Sequence, residues 1–177
     1  MEDECHLVWG DVCGMVWGKR NTPIEVPLTN ERQRQTYYGA INLVTREVHL
    51  KEETTGDGEG TVGYIQWCQG LYPSKKLFFL WDGASYHRST EMQEFLRRAN
   101  AGLPEEDWKV TCLLFAPNAP EQNPIEELWH KGKTHLRTHF AVNKTFAQVK
   151  QCFRTFLQGL NFHSVKLAWY WPCPQMI

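Results

Sequence analysis

Between Lys109 and His139 the chain reads KVTCLLFAPNAPEQNPIEELWHKGKTHLRTH, and this stretch restricts the fold more tightly than any other. Val110 to Phe115 is an apolar run of strand length closed by Ala116-Pro117, the pattern of a strand covered on both faces. Pro117, Pro120 and Pro124 stiffen the loop that follows. Asn123-Pro124 then opens a helix, with Asn as cap, Pro at the first helical position and Glu126 three residues after the cap. Advancing about 100° per residue gathers Ile125, Leu128, Trp129, Gly132, Leu136 and Phe140 into one sector roughly 120° wide, which must be buried. Glu127, Lys131 and Thr138 then point to water. Glu126 falls at the rim of the buried stripe and shares its side of the helix with His130, Lys133 and Arg137. A capping-box glutamate reaching back to the Asn123 N–H would account for Glu126 taken alone. A second acid in the right place changes that balance.

The remaining elements follow from the same patterns. His6 to Trp9 and Met15 to Gly18 are short β-prone pieces around a Gly10-Asp11 turn. Gln35 to Val44 and Glu47 to Glu53 form a hairpin turning at Thr45-Arg46. Thr61 to Leu71 carries its apolar residues at helical spacing and stops at Tyr72-Pro73-Ser74. Leu77 to Trp81 is a second buried strand, ending in Asp82-Gly83. Ser89 to Asn100 is a helix with Ser89 or Thr90 as cap, and Lys144 to Gly159 is a further amphipathic helix. Pro172 and Pro174 end the regular structure. Strands alternating with helices in the second half demand parallel pairing, and the hairpins of the first half add antiparallel strands. The expected fold is α/β: one mixed sheet, three antiparallel strands then parallel ones, with helices on both faces.

Charge and composition narrow the function. The 177 residues are 42% hydrophobic with eight Trp, and no apolar run approaches the ~18 residues of a membrane span. A soluble globular protein of one domain, with no membrane partner, is expected. MEDECH has neither a basic start nor an apolar stretch, so no signal peptide is read there and a cytoplasmic location follows. The six cysteines include no C-x-x-C pair, so neither a zinc ribbon nor a disulfide framework is signalled. Residues 128 to 177 hold seven Lys or Arg and no acid, a charge of +7. The remaining 12 basic and 20 acidic residues give −8. A positive C-terminal third beside an acidic body suits a polyanion-binding surface next to a cation-binding one, although two oppositely charged solvated faces have the same pattern.

The acids that could work together are few. Asp82 ends an apolar strand, where side chains emerge at the carboxyl edge of a sheet, although Asp-Gly also simply begins turns. Asp82 and Glu126 follow neighbouring strands, so parallel pairing gathers them at one edge. Asp3, with Glu4 beside it, leads into the first strand, and Asp11 is the fallback for this third acid. Three converging carboxylates without compensating bases need a divalent cation, and oxygen ligands without thiol or imidazole spacing favour Mg²⁺ or Mn²⁺. Such a cluster prepares two-metal phosphoryl transfer, with ions about 3.5 to 4 Å apart.

At these residues the chain resembles a family. Asp-Glu at the first acid, LWDGASYH (Leu80 to His87) and FAPNAPEQNPIEELW (Phe115 to Trp129) are similar to the catalytic domain of mariner-type transposases, and closest to their bacterial insertion-sequence relatives. GDVCGMVWGK (Gly10 to Lys19) and RQTYYGAINL (Arg34 to Leu43) extend the likeness over most of the chain. The resemblance implies a ribonuclease H-like fold and a DDE triad of Asp3, Asp82 and Glu126, holding two Mg²⁺ or Mn²⁺ ions. It implies DNA cleavage by activated water and joining of the freed 3′ hydroxyl to a target phosphate. Lys131, Lys133 and Arg137 become phosphate contacts, against the plainer reading of a solvated helix face, and His87 and Asn123 are auxiliary candidates. His87 reads equally well as a hydrogen-bonded structural residue. Trp9, Trp17, Trp81 and Trp129 each fall in an apolar pattern and belong to the core.

The family carries helix-turn-helix modules ahead of its catalytic core, and no such region precedes Met1 here. The expectation is therefore a catalytic half whose partners are transposon-end and target DNA, an N-terminal DNA-binding half of the same transposase, and a second copy in a homodimer. The location is then the nucleoid. The competing reading is an incomplete remnant that holds DNA or a partner through its basic C-terminal third. A carboxylate-pair glycosidase ranks third, since three acids suit metals better than a two-acid mechanism.

Overall fold

The computed structural model describes residues 1–10, 18–22, 33–116, 122–160, 162–164 and 167. Strand β1 (Glu2–Val8) pairs antiparallel with β2 (Arg34–Ile41), which pairs antiparallel with β3 (Val48–Glu53). Helix α1 (Gly58–Leu71) follows, then β4 (Leu77–Trp81), a 3-10 turn at Ser85–Arg88 and α2 (Thr90–Ala99). Strand β5 (Val110–Leu114) pairs parallel with β4, and α3 (Ile125–Thr138) and α4 (Phe146–Gln158) complete the order. The three antiparallel strands and the parallel pair are the expected ones. They form two hydrogen-bonded sheets rather than one, with β1 lying beside β4.

Alternation along the strands divides the core in two. Cys5 and Leu7 of β1 and Tyr37 of β2 pack under α3 and α4 with Ile125, Leu128, Trp129, Phe153 and Leu157. Tyr38 of β2 turns the other way, joining Tyr64, Ile65, Met92, Phe95, Phe79 and Trp81 beneath α1 and α2. Helices on both faces are thereby present, and Trp81 and Trp129 are core residues as expected. Two glycines permit the closest approaches. A Cβ on Gly39 would lie 2.4 Å from the Trp129 ring, and one on Gly132 would lie 2.5 Å from Phe153, so β2 and α4 each meet α3 where no side chain intervenes.

The helix starts carry their reasons in the sequence. Asp57 accepts from the Gly60 N–H and starts α1 three residues before the expected Thr61. Ser89 accepts from the Met92 N–H at the head of α2, and Thr145 and Gln148 form a reciprocal capping box on α4.

Several expectations change. The first strand begins at Glu2 rather than His6, because cross-strand pairing to the buried β2 overrides the poor β-propensity of three consecutive acids. Strand β5 is not covered on both faces: Leu113 and Leu114 are 49% and 53% exposed, and Phe78 of β4 is 57% exposed. Phe78 and Leu113 lie on the face turned away from the α1 and α2 cluster, and Leu114 is the last residue of its strand. Phe140 lies beyond the end of α3 and is exposed, since the helix stops at Thr138 before the stripe reaches it. Met15 to Trp17 of the second β-prone piece, Asp11, Pro117, Pro120, Pro172 and Pro174 lie outside the described residues. No described helix is long and apolar enough to cross a membrane.

Candidate active site

Asp3 sits inside β1, opposite Gly39 in the pairing register. Successive side chains on a strand alternate, so Asp3 shares the face of Cys5 and Leu7, under α3. There the Trp129 indole N–H donates to Asp3 Oδ2 at 2.9 Å. Because Gly39 has no side chain, the indole can lie across β2 and reach the carboxylate.

Glu126 comes to the same place through the head of α3. The Asn123 side-chain amide donates to the Glu2 carbonyl oxygen at 3.1 Å, and its Oδ1 accepts from the Ile125 N–H at 3.3 Å. The first turn of α3 is thereby tied to β1 one residue from Asp3. Pro124 is already in helical conformation, and Asn123 bonds the first-turn Ile125 N–H as the expected cap would while also anchoring the helix to β1. Glu126 is exposed at the rim, as its helical angle requires. Burial, then the Glu126 carboxylate and then that of Glu4, pushes Asp3 up to about 8, against the opposing Trp129 hydrogen bond. The shift records an acid held among acids with little water.

Asp82 leaves the carboxyl end of β4, beside β1, with its side chain 59% exposed. Its Oδ1 accepts from the Ala84 N–H at 2.9 Å, so it does begin a turn. The turn leads into the Ser85–Arg88 segment and returns His87, whose Nδ1 lies 3.2 Å from the Asp82 carbonyl oxygen and 3.4 Å from Asp82 Oδ1. Among the described residues, no Lys or Arg forms an ion pair with Asp3, Asp82 or Glu126.

Asp3, Asp82 and Glu126 do not form the tightest acidic group. Asp3 and Glu126 interact across the α3 face, whereas Asp82 interacts with the other side of β1, through His87 and the field of Glu2. The closest set among the described residues is Glu2, Glu4 and His87, with one ligand atom from each lying within 4.8 Å of the others. Reading the strand in twos would have found it: Glu-Asp-Glu puts the outer acids on the face opposite the middle one. Trp129 was legible only as core, because nothing local says that a buried indole will meet an acid.

The basic candidates differ among themselves. Lys131 is exposed, lies 4.9 Å over the Phe162 ring and donates to the His163 carbonyl oxygen at 3.4 Å. Lys133 is half-buried, and its charge, with that of Arg34, is felt at His6, which burial and these cations lower. Lys150 and Arg154, part of the positive C-terminal third, pair with Glu52 at 3.7 and 3.3 Å. Part of that charge is already neutralised by β3. The described thiols, Cys5, Cys68, Cys112 and Cys152, are unbridged, and burial pushes Cys68 and Cys112 up to about 12.

Comparison with known proteins places this geometry in context. The family model described as DDE superfamily endonuclease matches residues 3–150. No curated protein matches the chain in sequence. The fold is similar to that of a Mos1 transposase paired-end complex with left transposon end, with TM-score 0.56 and 12% identity over 95% of this chain and 49% of that one. A simian T-cell lymphotropic virus intasome in complex with PP2A regulatory subunit B56 gamma gives TM-score 0.54 and 12% identity over 93% and 49%. The Mos1 strand transfer complex gives 0.54 and 13% over 90% and 46%. The chain spans about half the length of these proteins. At such identities the likeness is one of fold, the ribonuclease H-like arrangement that the motifs led one to expect.

Proposed function

Because the chain belongs to the DDE superfamily of endonucleases, we propose that it is the catalytic domain of a transposase, cutting DNA and joining the cut end to a target. Membership of this family implies use of a divalent metal. Asp3, Asp82 and Glu126 are the residues that would hold it, as two Mg²⁺ or Mn²⁺ ions. The donor set fits: three carboxylates from β1, the end of β4 and the head of α3, with no lysine or arginine among the described residues paired to them, suit hard cations that prefer oxygen. When bound, the ions supply an activated water and a charge opposite the attacking and leaving oxygens.

The observation that carries the reading is the meeting of Asp3 and Glu126. A strand residue and a helix residue 123 positions apart are near enough for the Glu126 carboxylate to raise Asp3, and the bonds from Trp129 and Asn123 hold the strand and the helix head in place. That outlay is out of proportion for a capping glutamate, which would need only its own helix. Trp129 orients Asp3, Asn123 positions Glu126, and Lys131, Lys133 and Arg137 run from the site along α3, where a phosphate backbone would lie. The paired-end and strand transfer complexes named above are DNA assemblies of other proteins. By extension this chain acts on transposon ends and target DNA in the nucleoid, with an N-terminal DNA-binding half and a second copy as partners.

The test is nicking of supercoiled plasmid with Mn²⁺. Nicking should appear with the unaltered chain and vanish in both Asp82→Ala and Glu126→Ala. DNA binding unchanged by these substitutions, with no nicking by any form, would instead establish a remnant that only binds. Strand transfer by this chain alone should be weak, and efficient sequence-specific excision would refute that expectation.

A further inference from the structure

Opposite Asp3, on the other face of β1, three side chains leave polar atoms with nothing to bond. Both carboxylate oxygens of Glu2, Glu4 Oε1 and His87 Nε2 are buried and lack hydrogen-bond partners. The side chains of Glu2, His87 and Glu4 are 0%, 1% and 4% exposed. An unsatisfied buried polar group is costly, more so when charged, and a group bound among them would offset that cost. Among the described residues, no lysine or arginine pairs with either glutamate.

The spacing distinguishes a shared proton from a shared ion. His87 Nε2 is 3.7 Å from Glu2 Oε2 and 3.7 Å from Glu4 Oε1, beyond the ~3.2 Å limit of an N–H···O bond. Ligands ~2.0–2.2 Å from a tetrahedral ion are about 3.3–3.6 Å apart, close to what is seen. The imidazole is also prepared as such ligands are. Its ring stacks on Trp81 at 4.2 Å and 7°, and Nδ1 faces the Asp82 carbonyl oxygen, leaving Nε2 as the lone-pair nitrogen. The Tyr86 hydroxyl donates to Glu4 Oε2 at 2.7 Å and orients the second carboxylate.

We propose that Glu2, Glu4 and His87 form a separate structural site for a borderline divalent cation of the Zn²⁺ or Co²⁺ class, distinct from the Asp3–Glu126 centre. An imidazole ligand and side chains closed off from water disfavour Mg²⁺, which keeps its waters. The ion ties β1 to the 3-10 turn after β4, and so holds Asp82 by its own carbonyl against β1. This site does not depend on the proposed nuclease activity.

The experiment uses the D3N/E126Q double variant, which lacks the other centre, refolded with Co²⁺ because the three side chains are buried. It should retain an equimolar amount of Co²⁺ after dialysis, show d–d absorption and melt at higher temperature than in EDTA. Adding H87N should abolish all three. Retention of no cobalt by the double variant, or unchanged retention and spectrum after H87N, would overturn the site. If the H87N form does not fold, the unaltered protein decides. Crystals grown with Zn²⁺ should give an anomalous peak among Glu2, Glu4 and His87, and a bridging water or an empty cavity there would refute the proposal.

Discussion

Trp129 bears on the proposed site through another residue, Asp3. Its N–H is the hydrogen-bond donor to Asp3, while its ring stacks on Phe153 at 6.3 Å. Trp129→Phe keeps an aromatic ring and removes the donor. A hydrogen bond to a charged group contributes about 1.5–3 kcal/mol. Mn²⁺-dependent nicking should therefore fall about tenfold or more, with a small change in melting temperature, whereas Asp82→Ala loses nicking altogether. Asp3 itself makes a second prediction, for the metal-free chain. Its carboxyl is raised from 3.8 to about 8 in the fold. Below about pH 4 both folded and unfolded forms hold the proton; between there and pH 8 only the folded form does, so stability falls as pH rises through that window. Melts in EDTA should show this decline, and Asp3→Asn should flatten it. The three acids proposed to hold the metal can be picked out from motif and spacing alone. The groups that hold them, Trp129 and Gly39, cannot, since each acquires its role from a strand or helix distant in sequence.

At the scale of elements, α3 is the piece on which the site depends. It is fixed at its head by Asn123 and along its length by Gly132, which lets Phe153 of α4 close upon it. Gly132→Ala sets two effects against each other. The methyl group gains up to ~1 kcal/mol of helix propensity, but overpacking against fully buried Phe153 costs about 1–3 kcal/mol. The loss should prevail, lowering the melting temperature by a few degrees, as calorimetry would read. Strand β4 and the start of α3 could be read from the sequence almost to the residue, because an apolar run and an Asn-Pro pair are local signals. The start of β1 could not, because only β2 makes a strand of Glu-Asp-Glu. The bare flank of β5 was equally hidden: an apolar run does not say whether its strand lies at an edge.

For the whole molecule, charge has to be counted after pairing. Lys150 and Arg154 are committed to Glu52, whereas Lys133 adds to the positive field of Arg34 at His6. DNA affinity should fall with salt in proportion to the phosphates engaged. Lys133→Ala should reduce the slope of log K against log salt by about one, and Lys150→Ala should leave it nearly unchanged, as fluorescence titrations at several salt concentrations would reveal. The sequence total showed that one third of the chain is basic. Which of those cations remain available emerged only from the tertiary pairing.

The alternation within β1 has a consequence for inheritance. Glu2, Asp3 and Glu4 differ little in chemistry, yet neighbours are consigned to opposite sides of a strand whose period is two. Loss of a single codon between Met1 and Cys5 would preserve the acidity of the segment and transpose its destinations, delivering carboxylates meant for one helix layer into the other. A substitution at one of these three positions touches one face alone, whereas a change in the spacing ahead of Cys5 disturbs both at once.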